Sequence, residues 1–250
     1  MPHGRTAFGA ARQVAVPLAT GCHPRAIVIP GRPDPADVIP NFGDRYGAEE
    51  LIAPEDAVAE QGDGLPDVPP AVIVGFQPEL TDAVEARAED SVRIVRPQYL
   101  YQLTDQVGYV PVHEWGIGAP VAATVVENVI AAGAEAVVQL SGGAGIQPDI
   151  DPETALLPTS SIRDEGVSYH YVPDGEAVTP SADLVETLGE ALSEDGFDTR
   201  RGPTWTTSAF YRETVPEIGR YRDDGVLTLD MAAAAIRAVC RYRGADTATC

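Results

Sequence analysis

Three glycine turns carry the residue types best suited to holding a small polar ligand. Ser141-Gly-Gly-Ala-Gly145 follows the apolar run Ala136–Leu140, Gly116-Ile-Gly118 follows the stretch Val107–Trp115, and Gly75 ends the run Ala71–Val74. A glycine turn directly after a strand offers backbone N–H groups, and in open α/β sheets ligands bind at the carboxyl ends of the strands. Other chemistries lack their residues: there is no GKS/T phosphate loop, no G-x-S-x-G elbow, no H-E-x-x-H and no C-x-x-C. Cys22, Cys240 and Cys250 show no metal-ligand spacing, so no metal is expected. His113 and His170 fall near predicted strand ends, where a hydrogen-bonded structural role is the simpler reading. Asp149 and Asp151, flanked by Pro148 and Pro152, read as turn caps rather than an acid–base pair.

The elements that must position these turns follow from the hydrophobic spacing. Val107–Asp151 reads as strand, glycine turn, helix, turn, strand, glycine turn. Pro120 suits a first helical turn. Val121, Ala122, Val125, Val126, Val129 and Ile130 keep one face, and Gly133 sits where a helix stops. Upstream, Pro54-Glu-Asp opens a short helix, Leu80–Ala88 is a plausible helix and Val92–Val95 a second strand. Downstream, Ala155–Leu157 is a strand followed by a polar loop, SSIRDEGVSYHYVPDGE. Then come a helix over Ser181–Glu194, a strand over Arg200–Thr207, a short helix over Pro216–Arg222, a strand over Gly225–Leu229 and a closing helix over Met231–Tyr242. The alternation predicts a three-layer α/β/α domain with a mixed, largely parallel central sheet.

At 250 residues the chain can bury one good-sized α/β core. There are 38 acidic residues against 17 basic ones, all arginine, for a formal net charge of −21. An acidic, hydrated surface of this kind suits high internal salt and excludes nucleic acid as a partner, because phosphate contacts need a basic face. No apolar run approaches the ~20 residues that span a bilayer. Three cysteines cannot all pair with one another, which fits a reducing cytoplasm. Residues 1–37 hold four Arg and two Asp, a net of +2, and read as a disordered tail; 38–70 read as an extended arm and linker, and 71–250 as the domain.

Several motifs in order resemble the purine and uridine phosphorylase family. GIGAPVAATVVENVIAAGAEAVVQLSGGAGIQPDID resembles its G-x-G-x-P-S and R-V-G-T-x-G signature, and IRDEGVSYHYVP its loop after the next strand. GPTWTTSAFYRET resembles its base-binding segment, and GVLTLDMAAAAIRAVCRYRG its strand and helix with E-M-E-A-A-A; together they cover about residues 68–244. The resemblance implies the nucleoside phosphorylase fold and phosphorolysis of a purine or pyrimidine nucleoside. Inorganic phosphate is then the co-substrate, no cofactor is needed, and the chain is expected to form a homo-oligomer, dimer to hexamer, with small-molecule partners only. It places the phosphate at Gly75, Gln139, Gly142 and Gly143, the ribose at Asp230 and Met231, and the base at Thr207, Phe210 and Tyr211. Gly31-Arg-Pro-Asp-Pro35 resembles the family's G-D-P-x-R turn in letters, but Gly75-Phe-Gln-Pro-Glu79 has the right separation from Gln139.

The departures fall on charged ligands. The arginine of G-D-P-x-R is Glu79, the arginine of R-V-G-T is Gln139, its threonine is Gly142, and E-M-E becomes Asp230-Met231-Ala232. Charge-assisted hydrogen bonds are roughly twice as strong as neutral ones, so these losses weaken phosphate binding. They admit alternatives: hydrolysis, with Glu79 or Glu114 activating water; nucleoside binding without turnover; or a structural, decayed paralogue that pairs with an active one. Family members continue past the E-M-E helix with another strand and a final helix. This sequence stops at Cys250, soon after Gly244, so those elements are either absent or cut off, and a sheet edge left uncovered there would be an aggregation liability.

Overall fold

The computed structural model describes residues 45–61, 66–88, 90–95 and 98–250. The tail expected over residues 1–37, the Gly31–Pro35 turn and part of the linker lie outside the described residues.

The first elements bear out the hydrophobic spacing. α1 is Pro54–Gln61, with Glu55 and Asp56 in its first turn, where a carboxylate meets the helix dipole. β1 is Ala71–Gly75, α2 is Pro78–Glu85 with proline in its first turn, β2 is Asp90–Val95 and β3 is Gln98–Gln102. β4 is Val107–Pro111. The strand expected to reach Trp115 instead ends at Pro111 and winds into a 3-10 turn, Val112–Glu114. α3 is Ala119–Ala131, entered through Gly118 at φ 89° and left through Gly133 at φ 113°. Both are conformations that favour glycine.

β5 is Ala136–Leu140, as expected, and the glycine turn after it contains β6, Ala144–Gly145. β7 is Ala155–Asp164, so the polar loop expected after Leu157 begins instead at Glu165. Its polar letters mislead because β7 lies parallel to β8 along its whole length and takes its ladder from there. α4 is Ala182–Glu194, β8 is Thr199–Thr207, α5 is Val215–Asp223 and β9 is Thr228–Asp230, later than the expected Gly225–Leu229. α6 is Ala233–Arg243 and ends at Gly244 in the left-handed region, φ 77°. Of the elements read as missing after α6, the strand is present: β10, Asp246–Thr249, pairs parallel to β5 and forms the edge of the larger sheet.

The strands form two sheets, β10-β5-β1-β4-β3-β2 and β6-β9-β8-β7. Pairs β1–β4, β1–β5, β10–β5, β7–β8 and β8–β9 are parallel; β2–β3, β3–β4 and β6–β9 are antiparallel. Register sets the faces. Val72, Val74, Val110 and Val137 point one way, into a core shared with Val125, Val126 and Val129 of α3 and Ile236 and Val239 of α6. The opposite face carries Tyr109, whose hydroxyl pairs with Thr81 of α2 at 2.7 Å, and Ala248, packed with Val185 of α4. Helices on both faces of the larger sheet make the expected three layers. Each fully buried Val or Ile adds about 1.5–3 kcal/mol.

An ion cluster ties α6 to α3. Arg243 of α6 donates to both oxygens of Glu127 on α3, at 2.7 and 3.2 Å, and to Glu50 at 2.7 Å. Burial works against the Arg243 charge, but the two carboxylates outweigh it and raise its pKa.

Candidate active site

The carboxyl ends of β1, β5 and β9 open onto one cavity of about 400 Å³. Its wall is built from Phe76 after β1, Ile117 and Gly118 before α3, Gln139 to Ala144 on the second glycine turn, Leu229 to Ala232 at the β9–α6 junction, and Phe210. Leu140 alone in that glycine-turn stretch is not part of the wall. A second cavity, of about 490 Å³, shares Ser141, Gly142, Gly143 and Asp230 with it.

Each wall has a local cause. Gly143 must be glycine because a Cβ there would stand 2.5 Å from Thr228 Oγ1 and 2.9 Å from the Leu229 carbonyl, where β6 runs against β9. A Cβ at Gly142 would meet Gln77 Nε2 at 3.4 Å, so the Gln77 amide stands over this turn. Among the described residues the N–H groups of Gly142 and Gly143 donate no hydrogen bond, which leaves them available to an anion. Gln139 is buried and donates from Nε2 to Ser141 Oγ at 2.9 Å. A Cβ at Gly118, whose φ is positive, would come within ordinary contact of Met231.

Asp230 is the one charged residue among those lining the 400 Å³ cavity. Its carboxylate already serves the protein: Oδ1 accepts from the backbone N–H of Ala232 at 2.8 Å and Ala233 at 2.7 Å, and Oδ2 accepts from Thr204 Oγ1 at 2.7 Å. Thr206 adds a hydroxyl at 3.2 Å to Oδ1. A side-chain oxygen on the first free N–H groups of a helix is a capping arrangement.

Of the residues the sequence singled out, Gln139, Gly142, Gly143, Phe210, Asp230 and Met231 come together in the cavity. Three do not line it. Gly75 is buried one residue behind the wall, under Tyr109. Thr207 is buried, with its hydroxyl accepting from the Ala209 N–H at 3.2 Å. Tyr211 is 93% exposed, with its ring 5.1 Å from that of Phe210 in an edge arrangement. Glu79 and Glu114 are exposed and outside the wall. Phe76, Ile117, Gly118 and Ser141 also line it, though the letters assign them no individual role within the turns they belong to. Gly118 and Ser141 were legible, since both belong to glycine turns at strand ends, whereas Phe76 and Ile117 are apolar letters that acquire a role only from their neighbours.

The sequence pattern of the Phosphorylase superfamily matches residues 69–250, and the chain belongs to that family. Among curated relatives it is 27% identical over 129 residues to a guanosine phosphorylase of Halorubrum lacusprofundi, covering 52% of this chain and 54% of that one. It is 24% identical over 143 residues to a uridine phosphorylase of Escherichia coli, covering 52% and 56%. The chain thus spans about half the length of the curated relatives it matches. A crystal structure of uridine phosphorylase from Vibrio fischeri superposes with a TM-score of 0.65 over 74% of this chain and 80% of that one, at 22% identity, which is a likeness of fold.

Proposed function

We propose that the protein is a nucleoside phosphorylase. A phosphate oxygen attacks the anomeric carbon of a bound nucleoside, the C–N glycosidic bond breaks with its electron pair passing to the base nitrogen, and the base takes up a proton. The products are free base and ribose 1-phosphate. The observation that carries this reading is the single cavity that brings the unbonded N–H groups of Gly142 and Gly143 together with Met231 and Phe210. The glycine turn suits the anion, Met231 the apolar underside of the ribose, and Phe210 the face of the base. The reaction moves no electrons to or from a redox centre, so phosphate is the co-substrate and no cofactor is called for.

Ile117, Phe210, Tyr211 and Val215 are large apolar side chains left exposed. They support the further proposal of a homo-oligomer, dimer to hexamer, in which a neighbour covers this region. The cytoplasm is the proposed compartment, on the free thiols of Cys240 and Cys250. Among the described residues no helix is long and apolar enough to cross a membrane.

A nucleoside panel in high-salt buffer, with and without phosphate and read as free base by chromatography, tests the activity. Phosphate-dependent release is expected. Release without phosphate replaces phosphorolysis with hydrolysis, and no release from folded protein leaves binding alone.

A further inference from the structure

The geometry points to Arg237 as a positioning residue that, through Thr249 and Gln139, holds the Ser141 hydroxyl as a hydrogen-bond donor to an anion at the Gly142–Gly143 turn. This rests on the phosphate position proposed above.

Arg237 on α6 is fully buried. A buried guanidinium ordinarily faces a carboxylate, because an uncompensated charge in the interior is costly. Among the described residues every acceptor it reaches is neutral: Ser161 Oγ at 2.7 Å, the Pro158 carbonyl at 2.8 Å and Thr249 Oγ1 at 3.4 Å. Its Nε–H is buried without a partner. Burial accordingly lowers its pKa to about 10, with Asp230 opposing from nearby, so the group remains a cation at neutral pH. The carboxylate of Asp230 is bound to the α6 N-terminus and to threonine hydroxyls and does not ion-pair with it.

The hydrogen bonds leading away from this cation have one direction. Thr249 Oγ1 accepts from Arg237 and gives its own proton to Gln139 Oε1, at 3.3 Å. With its carbonyl end held by Thr249, the Gln139 amide presents Nε2 to Ser141 Oγ, at 2.9 Å. Ser141 is therefore an acceptor towards Gln139, and its remaining proton has no acceptor among the described residues. Ser141 lines the cavity beside the unbonded N–H groups of Gly142 and Gly143. Were Gln139 turned over, its NH2 group would face a hydroxyl already receiving from a cation, and Ser141 would lose its donor. In the orientation observed, the Ser141 hydroxyl and the Gly142 and Gly143 N–H groups are three donors left at one turn of the cavity wall. In a low-dielectric interior such a chain is polarised by the charge at its head. A cation is absent from the cavity wall at position 139, and Arg237 supplies its effect from behind.

Calorimetry with inorganic phosphate on the full chain, in chloride buffer of high ionic strength, tests this beside nucleoside binding and the phosphate KM. Thr249→Val keeps the shape and strand preference of the residue and removes only the relay hydroxyl. It is expected to weaken phosphate binding by about 5- to 20-fold, the range of one lost polar contact, and to leave nucleoside affinity within about twofold. Arg237→Met is expected to weaken it further; should that variant not fold, Thr249→Val decides. An unchanged phosphate Kd in folded Thr249→Val overturns the assignment, as does an equal loss of phosphate and nucleoside binding, which marks a purely structural role. Selective loss of phosphate binding in a protein that releases no base upholds the relay and removes phosphorolysis. Phosphate-dependent release with an unaltered phosphate KM in Thr249→Val does the reverse. Wild-type protein that binds no phosphate overturns both.

Discussion

Gly75 lies beneath the ring of Tyr109: a Cβ at Gly75 would stand 2.2 Å from the phenol oxygen and 2.3 Å from the ring. Tyr109 is itself fully buried and held by Thr81. The glycine thus makes room for an aromatic side chain one strand away, in addition to ending β1 behind the cavity. Gly75→Ala is expected to cost about 1–3 kcal/mol, the usual penalty for overpacking. Urea denaturation reads this, and a midpoint within error of wild type would remove the packing role.

Asp230 is expected to act on stability before it acts on substrate. Asp230→Ala strips the acceptor from two N–H groups at the start of α6 and is expected to cost about 1–2 kcal/mol, whereas Asp230→Asn, an equally good cap, retains most of that. Thermal melts of the two variants separate capping from a role for the charge. Equal losses in both would place the effect on the carboxylate rather than the cap.

Phe210 lines the cavity yet is 55% exposed, so its removal affects the ligand more than the fold. Phe210→Ala is expected to weaken nucleoside binding about tenfold with little change in melting temperature, in keeping with the loss of one aromatic stacking partner. Tyr211→Ala, outside the wall, is expected to change the affinity of the isolated chain by less than about twofold. Fluorescence or calorimetric titration distinguishes them.

Arg243→Met leaves Glu127 without its main partner in a largely buried position. Removing one member of such a cluster is expected to cost about 3–5 kcal/mol. Chemical denaturation of Arg243→Met beside the double variant Arg243→Met/Glu127→Leu provides the check. The double variant should recover much of the loss, since it no longer buries a lone charge.

Burial pushes the Cys240 thiol from its ordinary value of 9.0 up to about 12. A raised thiol pKa means that the folded state favours the neutral form. Its stabilising contribution is complete below pH 9.0 and is lost as the pH climbs towards about 12. Alkylation mapped by mass spectrometry at pH 8 should therefore modify Cys240 only after unfolding. Rapid labelling of the native protein would show that the α6 core opens.

Local chemistry decided a large part of this structure. The strand over Ala136–Leu140, the helices of α3 and α4 and the left-handed glycines at 118 and 133 are readable because each depends on residues a few positions apart. The order of the motifs was likewise enough to indicate the family. What the letters withheld depends on neighbours distant in the chain. Residues 159–164 have a loop's composition but become strand because β8 runs beside them, and β10 exists because β5 offers it an edge. Gly75 and Asp230 were read for their chemistry at the ligand, yet the first is required by Tyr109 and the second caps a helix. Arg237 carried no signal in a helix of alanines. Its meaning comes from burial beside Thr249 and Gln139, 12 and 98 positions away in sequence, where only the folded chain brings a charge, a hydroxyl and an amide into one line.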